Sequence, residues 1–166
     1  MNIIIQSTLK TLEKSKFLLE TLSDNEFCDC SVPPYYSSIG SHIRHILDFY
    51  DCVLSMDFEK RIDLTARDRN KDVERYCILA AEYLNKIINQ LTNVDYNFDE
   101  IVTVIDDLGT GKIEMSYTLA AVLSQANSHT IHHYAIINYI LDGLEISMAD
   151  SDFGYNPTTP KRAKLN

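Results

Sequence analysis

Histidine is the residue type in this chain whose positions point most clearly to chemistry. Of the five histidines, His42 and His45 lie in one segment, and His129, His132 and His133 lie in a second segment much further along. Within a helix, spacings of three and four residues bring side chains to the same face. The neutral imidazole is also the most common metal ligand among side chains. Two helices with facing histidines therefore predict a metal site, but the pattern does not specify a reaction.

The later histidine segment lies in a long, mostly apolar stretch that predicts a helix. At about 100° per residue, His129 and His133 are expected in the middle of its apolar face and His132 at the flank. Burying two adjacent imidazoles without a shared partner costs several kcal/mol, and a metal would satisfy both. A polar core network and a titrating cluster are the alternatives. The face is defined by Leu119, Val122, Ala126, Ile136, Ile137 and Ile140.

The earlier segment offers two candidates for a ligand from a second helix. His42 lies on the near flank of the aliphatic stripe, whereas His45 lies further round the helix. Periodicity slightly favours His42 but does not decide, because this helix is apolar over most of its circumference. In the later segment Thr130 follows His129, so the glutamate of the HExxH motif is absent and zinc-protease chemistry of that type is not encoded.

Four helices and one hairpin are expected to position these side chains. Apolar residues recur at helical spacing in 3–22, 38–56, 72–93 and 118–142. The β-rich run 101–105 and the alternating run 113–117 flank a glycine-containing turn, which predicts a hairpin. The predicted fold is therefore mainly α, a four-helix bundle with a small β-hairpin between helices 3 and 4.

Length and charge narrow the class of protein. A chain of 166 residues is most simply one domain, with the bundle over 1–145 and a C-terminal tail, 146–166, that packs on the bundle or leaves it. The net charge of -9 repels phosphate backbones, so no nucleic-acid partner is expected. No apolar run is long enough to span a membrane. Without a basic leader and a cleavage site, a cytoplasmic location is expected.

The four cysteines are expected to be free thiols. No CxxC pair occurs, so a thiolate zinc site of the usual spacing is absent. Cys28 and Cys30 form a CxC in a predicted loop, whereas Cys52 and Cys77 fall on predicted helices as small core residues.

The order and spacing of the two histidine segments resemble those of the DinB/YfiT-like superfamily. Its members are four-helix bundles with a three-histidine metal site, one ligand coming from helix two and two from helix four. The segment 38–48 resembles the family's first histidine segment, and 129–133 resembles its HxxHH segment. The resemblance spans nearly the whole chain. It implies that His45, His129 and His133 are the metal ligands and that the other two histidines shape the pocket.

The resemblance also implies a class of activity. Three neutral histidines leave a coordination position open, as in catalytic rather than structural sites, and zinc or nickel suits imidazole ligands best. Family members include thiol S-transferases that use low-molecular-weight thiols, and amide hydrolases. The predicted function is a metal-dependent transferase or hydrolase with a small-molecule substrate, such as a low-molecular-weight thiol. Bundles of this kind commonly dimerise, so a homodimer is expected.

Two departures from the family qualify this prediction. Tyr134 and Ala135 follow the double histidine where the family often has an Arg-Gly-Gln-like segment, and Ala135 stands where iron-dependent sulfoxide synthases have a glutamate.

Asp48 and Tyr134 are the candidates for a general base, but both are expected to lie off the core face. The alternatives are a metal-binding scaffold or sensor without turnover, and a bundle whose histidines bind no metal.

Overall fold

The computed structural model describes residues 2–160 and is mainly helical, with one small sheet. Met1 and the last six residues of the predicted tail lie outside this range. Within it the elements are α1 (Ile3–Thr21), α2 (Asp24–Cys28), α3 (Ile39–Leu54), β1 (Arg61–Asp63), α4 (Cys77–Asn93), β2 (Ile101–Asp107), β3 (Lys112–Thr118) and α5 (Leu119–Gly143). The prediction of a mainly α fold with a hairpin before the last helix is confirmed. None of these helices is long and apolar enough to cross a membrane.

Short polar side chains begin three of the long helices. The side chains of Asn2, Ser38 and Thr118 each accept a hydrogen bond from a backbone N–H of the first turn of α1, α3 or α5, which satisfies donors that the helix itself leaves free. No helix is predicted between the first helix, which ends at residue 22, and the second, which begins at residue 38. Ser23 and Glu26 instead form a capping box that starts α2.

The four long helices pack through a continuous apolar core. Helices α1 and α3 each contact both α4 and α5. Two tyrosines at the centre are fully buried and have hydroxyl partners: Tyr50 lies 3.1 Å from the Thr130 hydroxyl, and Tyr134 donates to the Thr11 carbonyl at 3.1 Å. Tyr134 also bonds with Ser15. The expectation that Tyr134 lies off the core face is therefore wrong.

The hairpin is one part of a three-stranded sheet. Strands β2 and β3 pair antiparallel as predicted, and β1 adds to β2 in parallel. No strand is predicted in the charged segment 59–70, but Ile62 within it is buried. A three-residue strand carries too short an alternation to be recognised in such a charged context. Val102 and Val104 are buried on one face of β2. Asp106, two residues further along the strand, belongs to the same face because side chains alternate between the two faces of a sheet.

The connection from β1 to α4 is held against the start of α3. Leu64 and Val73 anchor it in the core, and a β-carbon on Gly40 would lie 2.0 Å from the Glu74 carbonyl oxygen. The third predicted helix was expected to begin near Asp72, but α4 begins at Cys77, where the backbone N–H donates to the Asp24 carboxylate at 2.8 Å. Residues 71–75 instead form turns.

The described part of the predicted tail packs on the helices. Phe153 is buried and its ring stacks on Tyr134 with centroids 4.8 Å apart. Lys14 of α1 forms an ion pair with Asp150 at 2.9 Å. Tyr155, by contrast, is exposed. One of the tail's aromatic rings therefore completes the core.

Candidate metal centre

Three of the five histidines meet between α3 and α5. His45 Nε2 lies 2.9 Å from His129 Nε2, and His133 Nε2 lies 3.1 Å from the same atom. Ligating nitrogens of all three residues lie within 4.8 Å of one another. These are the three residues that the family resemblance implied. Since His45 belongs to this group, the geometry favours it over His42 as the member from α3.

The position of the pair on α5 differs from the sequence prediction. The buried face of α5 includes Thr130 and Tyr134, and His129 lies at its margin, partly exposed, with His133 the more enclosed of the two. The prediction that both histidines occupy the middle of the core face is wrong. The helical wheel counted only apolar residues, whereas this core also takes a threonine and a tyrosine whose hydroxyls have partners.

His42 supports the cluster from one side. Its Nδ1 lies 2.8 Å from His133 Nδ1, and its Nε2 lies 2.9 Å from the Ser37 hydroxyl. His133 therefore points one nitrogen at the cluster and the other at a partner that fixes the plane of its ring. Such outer partners orient the ligands in many metal sites. His132 is exposed and has no such contact with the cluster nitrogens.

The electrostatics keep the cluster neutral. Burial, reinforced by neighbouring imidazoles, lowers the pKa of His45 to about 4 and that of His133 to about 2. Burial also lowers the pKa values of His42 and His129. At pH 7 these rings are uncharged, which is the form that ligates metals. No proton has to be displaced from a charged ring before a cation binds.

The two nitrogen separations measured from His129 suit a single ion. Two nitrogens that each bind an ion at about 2.1 Å are about 3.0 to 3.4 Å apart for angles between about 90° and tetrahedral. The separations of 2.9 and 3.1 Å from His129 Nε2 are close to this range. The three histidines therefore lie close enough to hold one metal ion, and the donor set is the one that imidazole-binding metals use.

The two residues considered as general bases already bond to other side chains. Asp48 is 1% exposed and accepts from the Arg44 guanidinium at 2.7 Å, so the expectation that it lies off the core face is wrong. Tyr134 faces α1 through Ser15. Neither the carboxylate nor the phenol is free to take a proton from a ligand at the histidines.

Two residues near the cluster were not recognised in the sequence. Arg67, in the connection after β1, lies with Nη1 3.1 Å from His45 Nδ1. Asp106, at the end of β2, lies near enough to His129 to oppose the lowering of its pKa by burial and by His132. The alternation of Val102, Val104 and Asp106 was a signal for the inward-facing carboxylate. Nothing in the charged segment around Arg67 distinguished it from its neighbours.

No cysteine belongs to the group of ligating atoms formed by these histidines. None of the four forms a disulfide; Cys28 and Cys30 are exposed, and Cys52 is buried. Burial raises the pKa of Cys52 to about 11 and that of Cys77 to about 12. Both of these thiols are therefore protonated at neutral pH and unsuited to attack a substrate.

Comparisons with known proteins give no match: no protein-family model, no curated protein and no solved structure is similar enough to this chain to be significant.

Proposed function

We propose that this protein binds one divalent metal ion, zinc or nickel, through His45, His129 and His133, and uses it as a metal-dependent enzyme of the DinB-like type. The observation that carries the proposal is the convergence of three neutral imidazoles from two helices. On this proposal the four long helices are a four-helix bundle of that superfamily, and the activity is that of a transferase acting on a low-molecular-weight thiol, or of a hydrolase.

The protein's own residues supply the surroundings that such a site needs. Three histidines fill three coordination positions and leave room for a substrate atom. The Phe49 ring lies 5.3 Å from the His129 ring, centroid to centroid, and forms an apolar wall. The Asp106 carboxylate interacts electrostatically with His129, which makes Asp106 the candidate general base. A bound zinc or nickel ion would supply Lewis-acid chemistry toward a thiol or water.

A screen of zinc-loaded protein tests the enzyme reading. We expect loss of a low-molecular-weight thiol in the presence of an electrophile, or hydrolysis of an amide or ester, that stops on chelation and returns with zinc. Asp106→Asn should reduce the rate by a factor of about 10² to 10⁴, which is the usual contribution of a general base. Stoichiometric metal without any turnover would favour the alternative, a metal-binding scaffold or sensor. The expected homodimer and small-molecule partner stay predictions.

His42 provides a separate prediction about the support of the site. We expect His42→Ala to weaken zinc binding by about 10- to 100-fold, as loss of an outer hydrogen-bond partner does elsewhere, because the line from Ser37 through His42 to His133 no longer orients the ligand. Titration calorimetry with zinc measures this. His132→Ala removes an exposed histidine from α5 and should bind zinc like the wild type. Equal affinity in both variants would show that His42 has no orienting role.

A further inference from the structure

Arg67 is a cation at the histidine cluster, and no carboxylate within residues 2–160 forms an ion pair with it. Its Nε is fully buried and has no hydrogen-bond partner, and its one hydrogen bond in the described structure runs from Nη1 to His45 Nδ1. Arg44 and Arg61, by contrast, both form ion pairs with carboxylates. Arg67 as a whole is part-buried beside the cluster, where a charge is screened less than at an exposed site. An uncompensated guanidinium in this position favours an anion that the free protein does not contain.

The hydrogen bond between Arg67 and His45 is incompatible with a metal on His45 Nε2. A guanidinium only donates, so His45 Nδ1 must be the bare acceptor, and Nε2 then carries the proton and faces His129. When Nε2 binds a metal, the ring proton resides on Nδ1 and would point at another donor. Metal binding at His45 therefore releases Arg67 from its one partner while leaving it beside the ion.

We propose that Arg67 binds the carboxylate group of a small anionic ligand beside the metal. This inference rests on the proposed metal site. The guanidinium edge presents parallel N–H donors that match the two oxygens of a carboxylate, and Nη1 becomes available as one of them when it leaves His45. The connection that carries Arg67 is fixed at both ends by the buried Leu64 and Val73. The ligand class is therefore a carboxylate-bearing small molecule, and metal and carboxylate favour each other's binding.

Calorimetry with zinc and acetate tests this proposal. Zinc is first titrated into wild type, Arg67→Ala and Arg67→Lys in a buffer without carboxylates, and acetate is then titrated into each zinc-loaded protein. We expect acetate to bind Arg67→Ala at least about tenfold more weakly than wild type, as loss of a charge-assisted bond implies. Arg67→Lys keeps the charge without the planar fork and should be intermediate. Without acetate, Arg67→Ala should bind zinc as tightly as wild type or severalfold more tightly.

Arg69→Ala is the matched control, because Arg69 is an exposed arginine in the same connection and its loss should leave acetate binding unchanged. If zinc-loaded wild type and Arg67→Ala bind acetate equally, or if neither binds it, the carboxylate proposal is wrong while the metal site stands. If wild type takes up no zinc, the proposed function itself fails, and this inference fails with it. Circular dichroism of each variant verifies that the helices persist.

Discussion

Replacing His129 with alanine is expected to lower the affinity for zinc by at least about a hundredfold. His129 Nε2 lies 2.9 Å from His45 Nε2 and 3.1 Å from His133 Nε2. It is therefore the nitrogen that lies next to both of the others, and its loss leaves only two ligands. Structural zinc sites with four ligands bind with about 10 to 16 kcal/mol, or roughly 3 kcal/mol per ligand, which corresponds to a factor of a hundred or more. Elemental analysis of untagged protein gives the metal content per chain.

His132→Ala is the control for this measurement. This substitution also replaces a histidine of α5 with alanine, but His132 is exposed and is not one of the three candidate ligands. Wild type and His132→Ala should each hold about one equivalent of zinc, while His129→Ala and His133→Ala should be empty yet remain helical. An empty wild type after incubation with zinc and with nickel would contradict the metal site and leave a histidine network in a helical protein.

The candidate site could be predicted in part because its main signal is local. The four contacting histidines form an i, i+3 pair on α3 and an i, i+4 pair on α5, and these spacings do not depend on how the helices are arranged. The choice between His42 and His45 depends on how α3 rotates against α5, which periodicity on an apolar helix does not define. Arg67 is close to His45 only because the connection after β1 folds back over α3. The course of such a connection produces no periodic pattern in the sequence.

The same distinction holds for the fold. The long helices and the hairpin were predictable from apolar spacing and turn residues, and their ends agreed where a capping side chain was visible, as at Ser38 and Thr118. The parallel strand β1 was not, because it pairs with residues about forty positions later, from Ile62 to Val104. The late start of α4 depends on Asp24, another long-range partner. Long-range pairing, together with the short local pattern of β1, accounts for these errors.

The second prediction concerns Asp48, which we expect to be structural and not catalytic. Asp48 is 1% exposed, accepts from Arg44 at 2.7 Å and lies 3.4 Å from the Tyr83 hydroxyl. Arg44 in turn donates to Glu74 at 2.9 Å, so the pair ties α3 to the connection that also carries Arg67. Removing one member of a buried ion pair costs about 3 to 5 kcal/mol, because the remaining charge loses its compensation. Glu74 still compensates Arg44, so the lower end is expected.

Urea unfolding of Asp48→Ala and Asp51→Ala separates the structural role from a catalytic one. Asp51 is on the same helix, but its ion pair with Lys86 is solvent-exposed, so its loss should cost less than about 1 kcal/mol. Asp48→Ala should lose about 3 kcal/mol of unfolding free energy and, under conditions where it is folded, should still bind one equivalent of zinc. A variant that keeps its stability but loses turnover would instead identify Asp48 as a functional carboxylate. That result would require the Asp48 carboxylate to leave Arg44 when substrate binds, a rearrangement for which its present contacts provide no cause.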